Sequence, residues 1–110
     1  MGENRHWKTR KVRDTIGVRT VLEQLVEECA ELQQVCMKYI RKLDDTNPTP
    51  KTKESIIANM TEEVADVQLC IECLPSFIRN HNKIVQWKEY KIDRWLQRLA
   101  ENDERTGKDV

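Results

Sequence analysis

Apolar residues recur at steps of three and four along most of the chain, which is the spacing of one face of an α-helix. The longest run lies between residues 18 and 43 and comprises Leu22, Leu25, Cys29, Leu32, Cys36, Ile40 and Leu43. The next run comprises Ile56, Ile57, Met60, Val64, Val67, Ile71 and Leu74, and the last Ile84, Val85, Ile92, Trp95, Leu96 and Leu99. The pattern predicts three long helices, with a shorter helix over residues 4–15.

The residues between these runs predict where the helices end. The segment 44–50, DDTNPTP, combines two prolines, which cannot sit in a helix interior, with Asp, Thr and Asn, which favour turns. Pro75 is expected to kink or interrupt the second long helix, and residues 80–82 are expected to form a loop. The predicted organisation is a basic N-terminal arm at 1–17, a helical domain at 18–102 and a polar tail at 103–110.

Length and composition indicate a single helical domain that associates with copies of itself. The chain has 110 residues, of which 35% are charged and 38% hydrophobic, and only three glycines and three prolines interrupt it. So few helix breakers favour helices over a sheet, and a chain of this length buries a modest core. We therefore predict an all-α, antiparallel bundle of about four helices, completed by homo-oligomerisation as a homodimer or homotetramer. Trp95 is expected to anchor the core or a subunit interface.

Charge and hydropathy indicate which partners to expect. The formal net charge of zero argues against nucleic acid as a partner, although the first 13 residues are basic. No apolar run approaches the roughly 18 residues that a transmembrane helix needs. The N-terminus is charged and lacks the apolar segment of a signal peptide. These features predict a cytoplasmic protein with no membrane partner.

The four cysteines are read in two ways. Cys29 and Cys36 lie seven residues apart, and Cys70 and Cys73 lie three apart, so each pair shares a helix face. Reduced thiols that act as small apolar core residues are the favoured interpretation. A zinc site built from the two pairs, and hence a zinc-binding regulator, is the alternative.

Two pairs of carboxylates border the apolar stripes of the first two long helices. Glu28 and Glu31 are three residues apart on the first helix, and Glu63 and Asp66 have the same spacing on the second. Residues at this spacing lie about 60° apart around a helix. If the two apolar stripes pack together, all four carboxylates converge where the helices meet.

Converging carboxylates repel one another, so either several hold protons or a cation lies among them. His6 and His81 fall outside both pairs, which argues against a di-iron site built from Glu and His. Ligation by carboxylates alone points to Mg²⁺ or Mn²⁺. The alternative interpretation is that these residues are ordinary surface acids on Glu-rich helices.

The segments EECAE, with Glu27, Glu28 and Glu31, and EVAD, with Glu63 and Asp66, resemble a known signature. It is the EExxE…ExxD motif of the all-α nucleoside triphosphate pyrophosphohydrolases, a superfamily that includes MazG, dimeric dUTPases, dCTP pyrophosphatases and phosphoribosyl-ATP pyrophosphohydrolases. The resemblance covers roughly residues 18–100 and is closest to the small, single-domain MazG-like proteins. It implies that Glu28, Glu31, Glu63 and Asp66 bind Mg²⁺, and that Glu27 is a further ligand or orients the attacking water.

The reaction implied by this resemblance is hydrolysis of a nucleoside triphosphate to the monophosphate and pyrophosphate, as a housekeeping step on the nucleotide pool. No glycine-rich loop is present, so metal ions and basic side chains would have to hold the phosphates. Lys91 and Arg94 on the last helix are the candidate contacts to the triphosphate, with Arg98 on the same stripe. The competing class is a non-catalytic helical interaction module that retains the fold.

Overall fold

The computed structural model describes the backbone of residues 2–45 and 50–106, and the side chains of residues 5–45 and 50–103. The described chain contains four helices, listed as α1 (Gly2–Ile16), α2 (Val18–Asp44), α3 (Lys53–Glu72) and α4 (His81–Thr106), and it contains no strand. The all-α prediction is therefore confirmed. The chain divides into two compact units, Met1–Pro75 and Ser76–Val110.

The ends of α1, α2 and α3 follow from local chemistry. Gly17 separates α1 from α2 with a φ of 86°, a conformation that glycine adopts at little cost. Asp45 caps α2 in the left-handed region and donates its backbone N–H to the carbonyl of Arg41. The Thr52 side chain caps α3 by accepting the N–H of Ser55 at 3.1 Å. The predicted break at 44–50 thus begins where α2 ends, and its residues 46–49 lie outside the described ones.

Of two predicted boundaries, one is wrong. α3 ends at Glu72, three residues before Pro75, so the helix is interrupted close to where the proline predicted it. Residues 80–82 do not form a loop, because α4 begins at His81. The Asn80 side chain instead accepts the backbone N–H of Lys83 at 3.0 Å, the role of a helix N-cap. α4 also continues to Thr106, so the first part of the predicted polar tail is helical.

In the first unit, α2 and α3 form an antiparallel pair. Val21, near the start of α2, lies in one buried cluster with Cys73 and Leu74, just past the end of α3. At the opposite end, the Lys53 ammonium at the start of α3 lies 5.9 Å from the ring centroid of Tyr39, near the end of α2. Residues 45–52 join the two helices, and a connection of this length favours antiparallel neighbours. The carboxylate pairs in the middle of both helices are therefore brought level with each other.

The N-terminal helix α1 is attached to the far end of α3. The Arg13 guanidinium donates hydrogen bonds to the backbone carbonyls of Cys73 and Leu74, at 3.3 and 3.2 Å. The Arg5 guanidinium pairs with the Glu72 carboxylate at 2.6 Å. The Arg13 hydrogen bonds thus give a donor to two backbone carbonyls just beyond the end of α3, and the Arg5 ion pair adds a contact to its last residue. The basic arm predicted at 1–17 is therefore a helix that packs on the rest of its unit.

The buried apolar core of the described residues is small, as the chain length predicts. Its members are Val21, Val35, Ile56, Cys73 and Leu74. Many apolar side chains of α2 and α3 remain exposed, among them Leu22, Val26, Ile40, Leu43, Ile57 and Leu69. Contiguous exposed apolar surface is typical of faces that bind another protein or ligand.

The second unit is dominated by α4, whose apolar stripe is exposed. Trp95 is 61% exposed, so it is not a core residue, and its predicted role at a subunit interface remains a prediction. Trp87 and Tyr90 contact each other edge to face, with ring centroids 6.1 Å apart. In the described part of the chain, no helix combines the length and apolar character that crossing a membrane requires.

Candidate metal centre

The antiparallel pairing of α2 and α3 places the predicted carboxylates together. Glu28 and Glu31 of α2 and Glu63 of α3 each place one carboxylate oxygen within 4.8 Å of the others. A second group, with the same spacing, consists of Glu62, Glu63 and Asp66 of α3. Glu63 belongs to both groups. The four acids that the sequence marked as candidate ligands therefore lie in two adjoining groups that share one residue.

Two of these carboxylates are partly removed from water. Oε2 of Glu28 and Oε2 of Glu63 are buried and have no hydrogen-bond partner among the described residues. Burial raises the pKa of Glu28 from 4.5 to about 7, and the negative charges of Glu31, Asp66 and Glu63 add to this effect. Burial also raises the pKa of Glu63, again with the charges of Glu31 and Asp66 contributing. The surroundings of both carboxyls thus disfavour the charged form.

This arrangement fits a hard divalent cation. All the donors are carboxylate oxygens, which Mg²⁺ and Mn²⁺ prefer. A cation would supply the partner that the two buried oxygens lack and would offset the repulsion between like charges. The donors come from two helices packed against each other, so their positions are set by the helix pair and not by a loop.

Sequence reasoning did not name Glu62 as a ligand, and it left Glu27 as a further ligand or as the residue that orients the attacking water. Glu62 is an exposed member of the second carboxylate group. Glu27 is exposed on α2 and belongs to neither group. The signal for Glu62 was present in the sequence, because it directly precedes Glu63 as Glu27 precedes Glu28. Glu27 remains a candidate for a role other than ligation.

The candidate phosphate contacts Lys91 and Arg94 lie on α4 in the second unit, and both are exposed. The Lys91 ammonium lies 5.8 Å from the ring centroid of Trp87, and the Arg94 guanidinium carbon lies 5.4 Å from that of Tyr90. Each cation therefore lies over an aromatic ring one helical turn earlier. The i, i+4 spacing that produces these contacts is visible in the sequence. That these cations meet the carboxylates remains a prediction.

The cysteines do not contribute to either group. All four are free thiols, and only Cys73 is fully buried. Burial raises the pKa of the Cys70 thiol, and the negative charge of Glu28 raises it further. Among the described residues, the groups close enough to hold an ion consist of Glu and Asp alone. The geometry thus lends no support to a zinc site.

Comparisons of the chain with models of known protein families, with curated proteins and with solved structures give no match. The resemblance to the EExxE and ExxD motifs therefore remains a hypothesis. The candidate site stands on its geometry: the carboxylates of α2 and α3 that meet, and the two buried oxygens without a partner.

Proposed function

We propose that this protein is a Mg²⁺-dependent nucleoside triphosphate pyrophosphohydrolase, of the MazG-like kind, acting on the nucleotide pool. It converts a nucleoside or deoxynucleoside triphosphate to the monophosphate and pyrophosphate. The observation that carries this proposal is the meeting of Glu28, Glu31, Glu63 and Asp66, with one buried and unpartnered oxygen on each of Glu28 and Glu63. Such a site would be stabilised by a divalent cation. The cation could in turn bind a negatively charged ligand such as a triphosphate.

Each candidate residue has a role in this proposal. Bound Mg²⁺, or Mn²⁺, supplies neutralisation of the triphosphate charge. Glu28, Glu31, Glu63 and Asp66 hold it, and Glu62 joins them as a further ligand. The chain offers no glycine-rich loop to cradle phosphates, so basic side chains complete their binding.

The proton of the attacking water goes to a carboxylate outside the metal groups. Glu27 lies next to Glu28 on α2 and is exposed, so its carboxylate is free to orient the water and accept the proton. Lys91 and Arg94 on α4 supply cations for the phosphate oxygens. Their contacts with Trp87 and Tyr90 hold both side chains along one side of the helix.

The assembly in this proposal is a homodimer or homotetramer in the cytoplasm. A second copy would cover exposed apolar residues such as Val26 of α2, Ile57 of α3 and Leu96 of α4, which adds the core that one short chain lacks. Sedimentation of the purified protein measures this directly. A monomer at all concentrations would remove the oligomer from the proposal while leaving the reaction open to test.

The reaction is tested by measuring pyrophosphate release from a panel of standard and modified nucleoside triphosphates, with Mg²⁺, with Mn²⁺ and with chelator. We expect release that depends on the metal and is matched by equal monophosphate. The Glu63→Gln variant is expected to lose at least about a hundredfold in turnover, because Glu63 is shared by both carboxylate groups. The Glu54→Gln variant on the same helix, outside both groups, is the control and keeps its activity.

A second candidate function is a non-catalytic helical interaction module. The exposed apolar side chains of α4, including Trp95, Leu96 and Leu99, favour it. This module would turn over no nucleotide, and its thermal midpoint would not respond to Mg²⁺. Pyrophosphate release that the Glu63→Gln substitution abolishes would exclude it.

A further inference from the structure

A cavity lies between α1, α2 and α3 of the first unit, apart from the two carboxylate groups. Its volume is about 350 Å³. Its apolar lining is contributed by all three helices and consists of Val12, Ile16, Val21, Leu69, Cys70 and Cys73. Cavities of this size lie at the small end of those that bind small molecules. A lining of this kind favours apolar contact over hydrogen bonding.

Few polar groups of the lining remain available to a ligand. The Thr9 hydroxyl donates a hydrogen bond to the His6 carbonyl at 3.0 Å, and Thr9 is buried. The Arg5 guanidinium is paired with Glu72. Lys8 also lines the cavity, is exposed, and has no hydrogen bond or ion pair within the part of the chain that the structure describes. Gln24 adds an exposed amide to the lining. The cavity therefore combines a mainly apolar lining with this amide and the ammonium of Lys8.

The charges around the cavity differ between its two ends and would orient a charged ligand. Cys70 lies in the lining near the carboxylates of Glu28 and Asp66, whose negative charges raise the pKa of its thiol. The free ammonium of Lys8 is contributed by α1, on another side of the cavity. A ligand with one negative end is therefore attracted toward Lys8 and repelled from the carboxylates near Cys70.

We propose that this cavity binds a small amphipathic anion, with its apolar body between Val12, Ile16 and Leu69 and its anionic group at the Lys8 ammonium. The apolar body is removed from water by side chains of α1 and α3, which supplies most of the affinity. The anionic group pairs with Lys8 at the cavity opening and sets the orientation. This site is separate from the proposed nucleotide reaction and does not depend on it.

The probe is decanoate, used below its micelle concentration and titrated into methyl-labelled protein followed by NMR. We expect saturable shifts of the methyl groups of Val12, Ile16 and Leu69. Decanol lacks the negative charge and is expected to bind about two- to fivefold more weakly. Acetate lacks the apolar body and is expected not to bind. The methyl groups of Leu96 and Leu99 on α4 report adventitious apolar binding, and equal shifts there would overturn the proposal.

Two pairs of variants separate the apolar and charged contributions. Ile16→Trp fills the cavity and is expected to abolish decanoate binding, whereas Val26→Trp, at an exposed position of α2 outside the lining, keeps it. Lys8→Glu is expected to weaken decanoate by about three- to tenfold and to leave decanol unchanged. Lys11→Glu makes the same charge change outside the lining and serves as its control.

The outcomes decide the proposal. Wild-type affinity in a folded Ile16→Trp protein, with unchanged helicity by circular dichroism, would overturn the site. Equal weakening by Lys8→Glu and Lys11→Glu would overturn the assigned position of the anionic group. If Ile16→Trp instead lowers the oligomeric state and decanoate does not bind the wild type, a second copy of the chain occupies the cavity, and the proposal is wrong.

Discussion

The raised pKa of Glu28 predicts that Mg²⁺ binding depends on pH in the neutral range. A carboxyl must lose its proton before it can bind a cation, so protons and Mg²⁺ compete for Glu28. With a pKa of about 7, the carboxyl is mostly charged at pH 8 and mostly protonated at pH 6. The apparent affinity for Mg²⁺ should therefore fall about tenfold between these values. With its ordinary pKa of 4.5, Glu28 would give almost no change over the same range.

The same shift sets the pH dependence of stability in the metal-free protein. The folded state holds a proton on Glu28 up to about pH 7, whereas the unfolded chain releases it near pH 4.5. Between these values the folded state binds more protons, so the free energy of unfolding decreases as pH rises. Mg²⁺ at millimolar concentration binds only the folded protein and should restore stability above pH 7.

Isothermal titration calorimetry at pH 6, 7 and 8 measures the affinity, and thermal unfolding with and without Mg²⁺ measures the stability. The Glu31→Gln variant removes a neighbouring negative charge, which lowers the pKa of Glu28 and should flatten the pH dependence. Glu54→Gln lies outside the carboxylate groups and should behave as the wild type. Equal Mg²⁺ affinity of the wild type at pH 6 and pH 8 would refute the reasoning.

Further predictions concern single side chains. Glu62→Gln should weaken Mg²⁺ binding about tenfold in calorimetry. Glu27→Gln should leave Mg²⁺ binding unchanged and lower turnover by about a hundredfold or more. The reverse pattern would mean that Glu27 is the ligand and Glu62 orients the water. Arg13→Met should cost about 1–3 kcal/mol in urea unfolding, because two hydrogen bonds from a charged donor are lost, and an unchanged midpoint would contradict that contact. Ile56→Ala should cost about 2–5 kcal/mol and the half-exposed Ile57→Ala much less, so similar losses would contradict the burial of Ile56.

The helices and the carboxylate groups were predictable because they depend on spacing. The apolar run from Leu22 to Leu43 lies on α2 and the run from Ile56 to Ile71 lies on α3, whereas Leu74 lies just past the end of α3. Glu28 and Glu63 border these runs, so packing of the two helices brings their carboxylates together without further information. What such spacing does not show is how deeply each oxygen is buried, which determines the pKa of Glu28.

Other features depend on contacts between distant residues or on competition between local preferences. Asn80 was predicted as part of a loop because Asn favours turns, yet the same side chain is a preferred helix N-cap, and α4 starts directly after it. The attachment of α1 depends on the backbone carbonyls of Cys73 and Leu74, which no side-chain pattern reveals. The cavity could not be predicted either, because its lining combines residues from three helices.

The most direct test of the proposed reaction is to run it in ¹⁸O-labelled water with Mg²⁺ and a triphosphate that the protein hydrolyses. Mass spectrometry then measures the ¹⁸O content of both products. Attack of water on the α phosphorus transfers the label to the monophosphate and leaves the pyrophosphate unlabelled, and chelator stops the reaction. We predict this result for the wild type. We predict no products from the Glu63→Gln variant, which lacks the carboxylate that the two groups share. Label in the pyrophosphate would contradict attack at the α phosphorus, and absence of products from the folded protein would contradict the proposed function itself.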